Sequence, residues 1–331
     1  MKQKILTSAF SLLLCVTLVY TVNAQDDKKR YEHFKERTIS KTYPASGNSL
    51  EIVNSFGKVD VVTSGGNEIK VDIHIEASSS DADMAERTFN SISVTDDKRG
   101  NTIYFKTNVK GNNNKGCNNC KNNMSIDYTV HLPASVKLDI ENSFGGISVP
   151  DYSGEISLTS KFGSLTTGAL SNAKGLNVEF GTAKIKSADN INAVFKFSSI
   201  EVDNLSGSNK IKVEFCNVAK IGLTNNITSL NLNESYSTIN LRPAANLSAT
   251  YSMHTSFGNL VNRTGISINR TDKPDEYGPD ADKDYEGRSG SGGAKIEIKS
   301  SFGNVIIGEP KPGDIKEKNK NKNKNKNEEE I

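Results

Sequence analysis

Two cysteines lie three positions apart and are the first residues whose spacing could indicate chemistry. Cys117 and Cys120 flank two asparagines in a segment rich in Gly, Asn and Lys, residues 110–123. A CxxC pair serves redox exchange when it starts a helix after a strand, and it serves zinc binding when a second pair completes the site. The sequence provides neither context. Since the chain begins with an export signal, described below, we expect a local disulfide between the two cysteines.

A second candidate for chemistry is an acidic segment near the C-terminus, residues 271–293. Three of its aspartates alternate with other residues in the manner of a calcium loop: Asp280, Asp282 and Asp284. However, Tyr285 stands where an EF-hand loop needs glycine, and Ser291 stands where it needs the bidentate glutamate. We therefore expect a solvated acidic loop, with calcium binding as the weaker alternative.

Patterns typical of enzymes are missing from the rest of the sequence. Residues Gly290–Lys295 look like a phosphate loop, but Lys295 precedes a strand pattern where that motif needs Ser or Thr and a helix. The four histidines show no metal-ligand spacing. We expect no cofactor and no catalysis. The alternative is a parallel β-helix enzyme acting on polysaccharides, which would need carboxylates in one groove. The outward acidic residues are instead dispersed, and include Asp60, Asp139, Glu201 and Asp203.

The feature that organises the chain is an aromatic residue followed by a small one, which recurs nine times. The aromatics are Phe56, Phe144, Phe162, Phe180, Phe197, Phe215, Tyr236, Phe257 and Phe302. From Phe144 to Phe257 their spacings are 18, 18, 17, 18, 21 and 21 residues. A fixed period of this length is typical of solenoids.

Positions around each aromatic residue predict two strands per repeat. The fourth residue before it and the third residue after it are apolar in nearly every copy, and the intervening residues are mostly polar. We expect the chain to turn at the aromatic and small residues, and the rings of Phe144, Phe162, Phe180, Phe197, Phe215, Tyr236 and Phe257 to stack inside the core as a structural ladder. The residue before the ring forms an outward row of alternating charge: Lys161, Glu179, Lys196 and Glu214.

The predicted fold is mostly all-β, a single-stranded β-solenoid with coils of about 18 residues and a small α+β cap near the N-terminus. Residues 1–24 form a signal peptide, because two lysines precede an apolar run and a small-residue cleavage site. The remaining boundaries are a polar lead-in over 25–47, a first coil with an α+β capping insertion over 48–137, the solenoid with its acidic loop over 138–308, and a disordered Lys/Asn-rich tail over 309–331. Within the insertion, residues 80–92 predict a helix. We expect residues 295–307 to close the array as the last coil.

Charge and hydropathy narrow the range of partners. The full chain has 41 basic and 39 acidic residues, so removal of Lys2 and Lys4 with the signal peptide leaves 39 of each. A balanced charge gives no attraction to nucleic acid. No second apolar run is long enough to span a membrane once the signal peptide is removed. We expect an exported protein of the periplasm, the outer-membrane surface or the extracellular space.

The sequence resembles a family of exported bacterial domains described as putative adhesins, which are β-solenoid proteins of unassigned function. The resemblance rests on four Ser-Phe-Gly triplets, at Ser55–Gly57, Ser143–Gly145, Ser256–Gly258 and Ser301–Gly303, and on the strand Val130–Val136, and it covers residues 50–307. It implies a solenoid fold and brings no catalytic residues. We therefore predict a non-catalytic envelope or surface protein that presents polar faces and loops to a surface glycan or to an envelope or matrix protein.

Overall fold

The protein is mostly β-sheet. A computed structural model describes residues 30–111, 119–274 and 277–315, and these residues form 23 strands and one helix. The predicted signal peptide and most of the predicted tail lie outside the described residues. The helix is α1 (Ala82–Ser91), and the strands in chain order are β1 (His33–Pro44), β2 (Ser49–Ser55), β3 (Val59–Thr63), β4 (Glu68–Ser79), β5 (Ile92–Arg99), β6 (Thr102–Val109), β7 (Asn122–Leu132), β8 (Leu138–Ser143), β9 (Ile147–Val149), β10 (Ile156–Lys161), β11 (Ser164–Leu170), β12 (Ala173–Glu179), β13 (Thr182–Asp189), β14 (Asn192–Lys196), β15 (Ser199–Glu214), β16 (Val218–Ser235), β17 (Thr238–Pro243), β18 (Ala249–Ser256), β19 (Asn259–Asn262), β20 (Ser267–Arg270), β21 (Asp282–Ser289), β22 (Ala294–Ser301) and β23 (Asn304–Ile307).

Strands that precede an aromatic residue pair with one another in parallel, and we call this set the first column. Its order is β2, β8, β10, β12, β14, the second half of β15, the second half of β16, β22 and β18. Equivalent positions of successive repeats face each other, as Leu158 faces Ile140 on one side and Leu176 on the other. The aromatic period therefore corresponds to one rung of strand pairing.

Strands that follow an aromatic residue form a second parallel column. Its order is β3, β9, β11, β13, the first half of β15, the first half of β16, β17, β23 and β19. The apolar positions four residues before and three residues after each ring are buried in both columns, with Leu260 as the partly buried exception. Between the two columns they form one continuous apolar core, which explains the alternation seen in the sequence.

The last repeat in the sequence is not the last rung of the columns. We expected residues 295–307 to close the array, but β22 lies between β16 and β18, and β23 lies between β17 and β19. The repeat that contains Phe257 is therefore the outermost rung. This expectation was wrong because the sequence gives the period of the repeats but not the order in which they pair.

Residues before β8 add strands and the helix to the N-terminal end of both columns. Strand β6 pairs with β2 in parallel and with β5 in an antiparallel manner, while β7 pairs with β3 in parallel and with β4 antiparallel. Helix α1 confirms the helix predicted over residues 80–92. Asp81 caps it by accepting a hydrogen bond from the backbone N–H of Met84, and Ala85 and Thr88 lie on its buried face.

Two segments for which no strand was predicted form strands. The polar lead-in contains β1, which pairs antiparallel with β4 over twelve residues, and the acidic loop contains β21, which pairs antiparallel with both β18 and β20. Both strands are exposed on one face and only half-buried on the other, so they lack the apolar alternation that identified the other strands. No helix in the described ranges has the length and apolarity to cross a bilayer.

Candidate functional site

The aromatic residue of every repeat lies in the left-handed region of backbone conformation. Its φ is between 50° and 65° in all nine repeats. Residues other than glycine rarely adopt this conformation. The turn changes the phase of the alternation, so the ring points outward although the residue two positions earlier points inward, as at Ser160 and Phe162.

Glycine follows the ring where successive repeats approach most closely. A Cβ atom on Gly163 would lie 1.9 Å from the carbonyl oxygen of Gly145, and one on Gly181 would lie 1.9 Å from the carbonyl oxygen of Gly163. No side chain fits in that space. The glycine after these aromatics is therefore required by the distance between rungs, whereas the repeats of Phe197, Phe215 and Tyr236 carry Ser198, Cys216 and Ser237 at this position.

The nine rings stack face to face in one row on the outside of the protein, which we call the aromatic stripe. Neighbouring centroids are 4.7 to 5.1 Å apart and the rings are parallel within 6°. The order along the stripe is Phe56, Phe144, Phe162, Phe180, Phe197, Phe215, Tyr236, Phe302 and Phe257.

The prediction that these rings fill the core is wrong. All except Phe56 are exposed, with 48 to 60% of each residue accessible to solvent. The left-handed turn is the physical reason, since it directs the side chain away from the apolar positions on both sides of it. Because the faces of the rings cover one another, the accessible part of the inner members is the ring edge. A flat ring face for stacking a sugar is therefore not offered along the stripe.

A buried carboxyl lies beneath the stripe at Glu234, two residues before Tyr236. The residue is only 3% exposed. Burial raises the pKa of Glu234 to about 7, against the opposing effect of hydrogen bonds from the Ser300 hydroxyl and from the backbone N–H of Ser237 at 2.5 Å. A Cβ atom on Gly303 would lie 2.3 Å from the carboxyl, so this glycine makes room for it. Glu234 does not stand out in the sequence, because the equivalent position is polar in several repeats.

A groove with a volume of about 370 Å³ lies on the outer face of the first column at its C-terminal end. We call it the C-terminal groove. Strands β21, β18 and β22 form its floor, and its polar lining includes Asn231, Ser252, His254, Thr271, Asp284, Glu286, Glu297 and Lys299. Across these strands Ser252 lies between Glu286 and Glu297, and His254 lies between Asp284 and Lys299. The groove thus combines carboxylates, a base, an amide and hydroxyls on one concave surface.

His254 takes part in a hydrogen-bonded chain that resembles a Ser–His–Asp arrangement. Its Nδ1 lies 2.8 Å from Asp284 and its Nε2 lies 3.2 Å from the Ser256 hydroxyl. However, that hydroxyl donates to Asp282 at 2.6 Å. The serine proton is therefore directed to a carboxylate and not to the imidazole that would remove it in nucleophilic catalysis.

The three aspartates considered for calcium contact side chains of the protein. Asp280 receives two hydrogen bonds from the guanidinium of Arg270, at 2.5 and 2.6 Å, while Asp282 and Asp284 contact Ser256 and His254 as described. Their carboxylates do not converge on one point, and calcium binding there stays a prediction.

A different group of metal-ligand types comes together at the N-terminal end. Glu36, His74 and Glu76 place their donor atoms within 4.8 Å of one another, which no other such group in the described part of the chain does. The Arg30 guanidinium already lies 3.0 Å from Glu36 and 3.6 Å from Glu76. This internal cation neutralises the two opposed carboxylates.

Of the two cysteines in the described ranges, one is oxidised and one is reduced. Cys120 is disulfide-bonded, and Cys117 lies outside the described residues, so their pairing stays a prediction. Cys216 is free and buried, and its sulfur accepts a hydrogen bond from the backbone N–H of Ser198 at 3.4 Å. Burial raises the pKa of its thiol. Such a thiol is unreactive.

No protein-family model matches this chain, and no curated protein matches it. Three solved bacterial structures are similar to it at low scores. A "putative adhesin" from Parabacteroides merdae is 9% identical, with 85% of this chain and 98% of that chain covered and a TM-score of 0.39. A "putative adhesin" from Bacteroides fragilis is 10% identical, with coverages of 82% and 97% and a TM-score of 0.33. A "putative cell adhesion protein" from Clostridium sporogenes is 11% identical, with coverages of 83% and 100% and a TM-score of 0.23. Scores this low assign neither a fold nor a function to the chain.

Proposed function

We propose that the chain is a single-stranded β-solenoid that acts as a non-catalytic binding or scaffolding protein of the cell envelope or surface. The two columns of parallel strands support the architecture, because each repeat contributes one strand to each column and pairs with equivalent strands of its neighbours. In such an array stability comes from contacts between adjacent coils, which gives an extended and rigid body. The strands and helix at the N-terminal end would then act as its cap.

The C-terminal groove is the surface that we propose for binding, and it is the observation on which the proposed function depends. Its lining presents carboxylates, an amide, hydroxyls and a lysine, and its floor is made of paired strands. Groups of this kind, fixed on a rigid sheet, match the hydroxyl-rich surface of a glycan. A surface glycan is therefore the partner we favour, and an envelope or matrix protein is the alternative outcome.

Binding of the exported chain to an array of surface polysaccharides tests this proposal. A double variant His254→Ala and Glu297→Ala removes two side chains from the middle of the groove. The control variant Lys184→Ala and Glu201→Ala removes an opposed charged pair from the outer face of the second column. We expect the groove variant to lose binding and the control to retain it. Binding that survives in the groove variant would contradict the groove as the binding surface, and binding that occurs only to proteins would contradict a glycan as the partner.

A polysaccharide-acting enzyme is the second candidate, because Glu286 and Glu297 line one groove. Glycosidases use such pairs, with the acid member kept protonated by a raised pKa. Here Lys295 donates to Glu297 at a distance of 2.6 Å and lowers the pKa of Glu297. This lowering disfavours Glu297 as an acid catalyst. Release of reducing ends or of unsaturated sugars from the polysaccharides that bind would favour the enzyme, and intact polymers after long incubation would favour the binding protein.

Export is the remaining part of the proposal. It depends on the signal sequence over residues 1–24, which precedes the described residues. Fractionation of cells that produce the chain with and without residues 316–331 would locate the protein and show whether the Lys/Asn-rich tail holds it to the envelope. Retention of the full chain in the cytoplasm would contradict export.

A further inference from the structure

The aromatic stripe contains most of the exposed large apolar side chains of the described residues. Among the described residues, all exposed large apolar side chains except Phe34, Val62 and Tyr277 belong to it. The eight exposed rings are contiguous, because each stacks on the next. Monomeric soluble proteins rarely expose continuous apolar patches larger than a few hundred square ångströms, so a stripe of this kind indicates an interaction surface.

The size of the stripe fits an interface between proteins. An aromatic residue that is about half exposed presents roughly 100 Å². Six adjacent rings, from Phe144 to Tyr236, then supply roughly 600 Å², and the polar rows beside them must supply the rest of the roughly 800 Å² that each partner contributes to a stable interface. The stripe alone therefore provides most of the required area.

A row of alternating charge runs beside the stripe and indicates what the partner is. It consists of the residues that precede four successive rings, Lys161, Glu179, Lys196 and Glu214, and serines precede the rings on both sides of this row, at Ser143 and Ser235. The order is basic, acidic, basic, acidic. Reversed, it is acidic, basic, acidic, basic, so the row is complementary to an antiparallel copy of itself. Within the described residues Glu179 has no ion-pair partner, whereas Lys161 pairs with Glu141 and Lys196 with Glu214.

Symmetry then specifies one arrangement. A two-fold axis that lies in the interface and crosses the stripe at right angles reverses the stripe and keeps the charged rows on the same side. Placed between Phe180 and Phe197, this axis sets Glu179 opposite Lys196 of the partner subunit. It also sets Lys161 opposite Glu214 of the partner subunit. A shift by one rung would bring like charges together, so the charged row selects the register while the rings contribute the apolar area.

We propose that the protein forms an antiparallel two-fold dimer through its aromatic stripe. The partner is a second copy of the chain, because the stripe and its charged row are complementary to themselves. A two-fold contact of this kind uses the same patch on both subunits and closes on itself, so it leaves no stripe exposed for further growth. The C-terminal groove lies on the outer face of the first column at its C-terminal end. The proposed axis crosses the middle of the stripe, so the dimer leaves the groove open. This inference does not depend on the glycan proposed above.

Sedimentation equilibrium of the exported chain over about 1 to 100 μM tests the dimer. We expect the wild-type chain to reach the dimer mass within this range. A variant with Phe180→Ser and Phe197→Ser should remain monomeric, and its circular dichroism should match the wild type, because both rings are half exposed. A wild-type chain that is monomeric at the highest concentration would overturn the proposal.

Charge exchange provides the second measurement, and it does not require any change to the rings. Lys161→Glu with Lys196→Glu makes the row entirely acidic, and Glu179→Lys with Glu214→Lys makes it entirely basic. Each variant alone should dimerise roughly tenfold more weakly than wild type, and an equimolar mixture should recover the dimer.

The matched control for this exchange is Lys184→Glu with Lys220→Glu, which adds the same negative charge on the second column. The control should dimerise as the wild type does. Dimerisation that is equally strong in the acidic, the basic and the control variants, or a mixture that fails to recover the dimer, would refute the antiparallel register.

Discussion

Replacing the buried carboxyl Glu234 by glutamine should change how the stability of the protein depends on pH. Glu234 is 3% exposed, and burial raises its pKa from 4.5 to about 7. Glutamine has nearly the same shape and cannot ionise. It can still accept the hydrogen bond from the Ser237 N–H and can donate to the Ser300 hydroxyl. The substitution therefore removes the titration with little change in packing.

The sign and size of the effect follow from linkage. Between pH 4.5 and 7 the folded protein keeps the Glu234 proton while the unfolded chain releases it. Stability therefore falls as the pH rises through this window, and the loss is complete above pH 7. A difference of about 2.5 pKa units corresponds to about 3 kcal/mol. At pH 8 the Glu234→Gln variant should be more stable than wild type by up to about 3 kcal/mol, and this advantage should disappear near pH 4.5.

Urea unfolding followed by circular dichroism at a series of pH values measures this difference, because the other titrating groups cancel between the two proteins. The control is Glu68→Gln, which makes the same chemical change at an exposed carboxyl on β4. A ¹³C NMR titration of the Glu234 carboxyl measures its pKa directly. Unfolding free energies of Glu234→Gln and wild type that run parallel from pH 4.5 to 8 would refute the reasoning, as would a carboxyl that titrates near 4.5.

Three further substitutions test the local packing and pairing. In thermal unfolding, Gly163→Ala should lower the unfolding free energy by about 3 kcal/mol or more, because the new Cβ would lie 1.9 Å from the Gly145 carbonyl oxygen. The control Gly175→Ala places its Cβ no closer than 3.8 Å to any atom and should change the unfolding free energy by less than about 1 kcal/mol. Asn142→Ala should cost about 2 to 3 kcal/mol in the same assay, because the buried amide donates to two carbonyl oxygens at 2.9 and 3.1 Å that would lose this partner. Arg270→Ala should speed hydrogen exchange in β20 and β21 and leave the central rungs protected, because the guanidinium joins the carboxylates of Asp272 and Asp280 beside these strands. Uniform exchange rates across the protein would contradict this.

The repeating period of the sequence predicted the pairing of strands but not the direction of the rings. The apolar positions lie four residues before and three residues after each aromatic. An even and an odd offset cannot both face the core in one uninterrupted strand, so the alternation must change phase at the turn. This parity, together with the glycine after most rings, marks a break in the alternation at the aromatic residue but does not fix the direction of the ring. We assigned the rings to the core because phenylalanine is usually buried.

Features that depend on contacts between residues distant in sequence could not be predicted from the sequence. Nothing in the spacing of the repeats shows that β22 is inserted between β16 and β18, because every rung has the same pattern. The C-terminal groove depends on this insertion and on the return of β21, so its residues could not be grouped from the sequence. Strand β1 was missed because its polar residues reveal a strand only when β4 is known to lie beside it.

The insertion of β22 and β23 has a consequence for how the chain is completed. Strands β18 and β19 do not pair with β16 and β17, because β22 and β23 lie between them. As the chain is made from its N-terminus, the Phe257 repeat is synthesised before β22 and β23, the strands that connect it to the rest of both columns. The far C-terminal strands thus join the outermost rung to the rest of both columns. A chain cut short before Ala294 would leave β18 paired with β21 alone and β19 without the strand it pairs with.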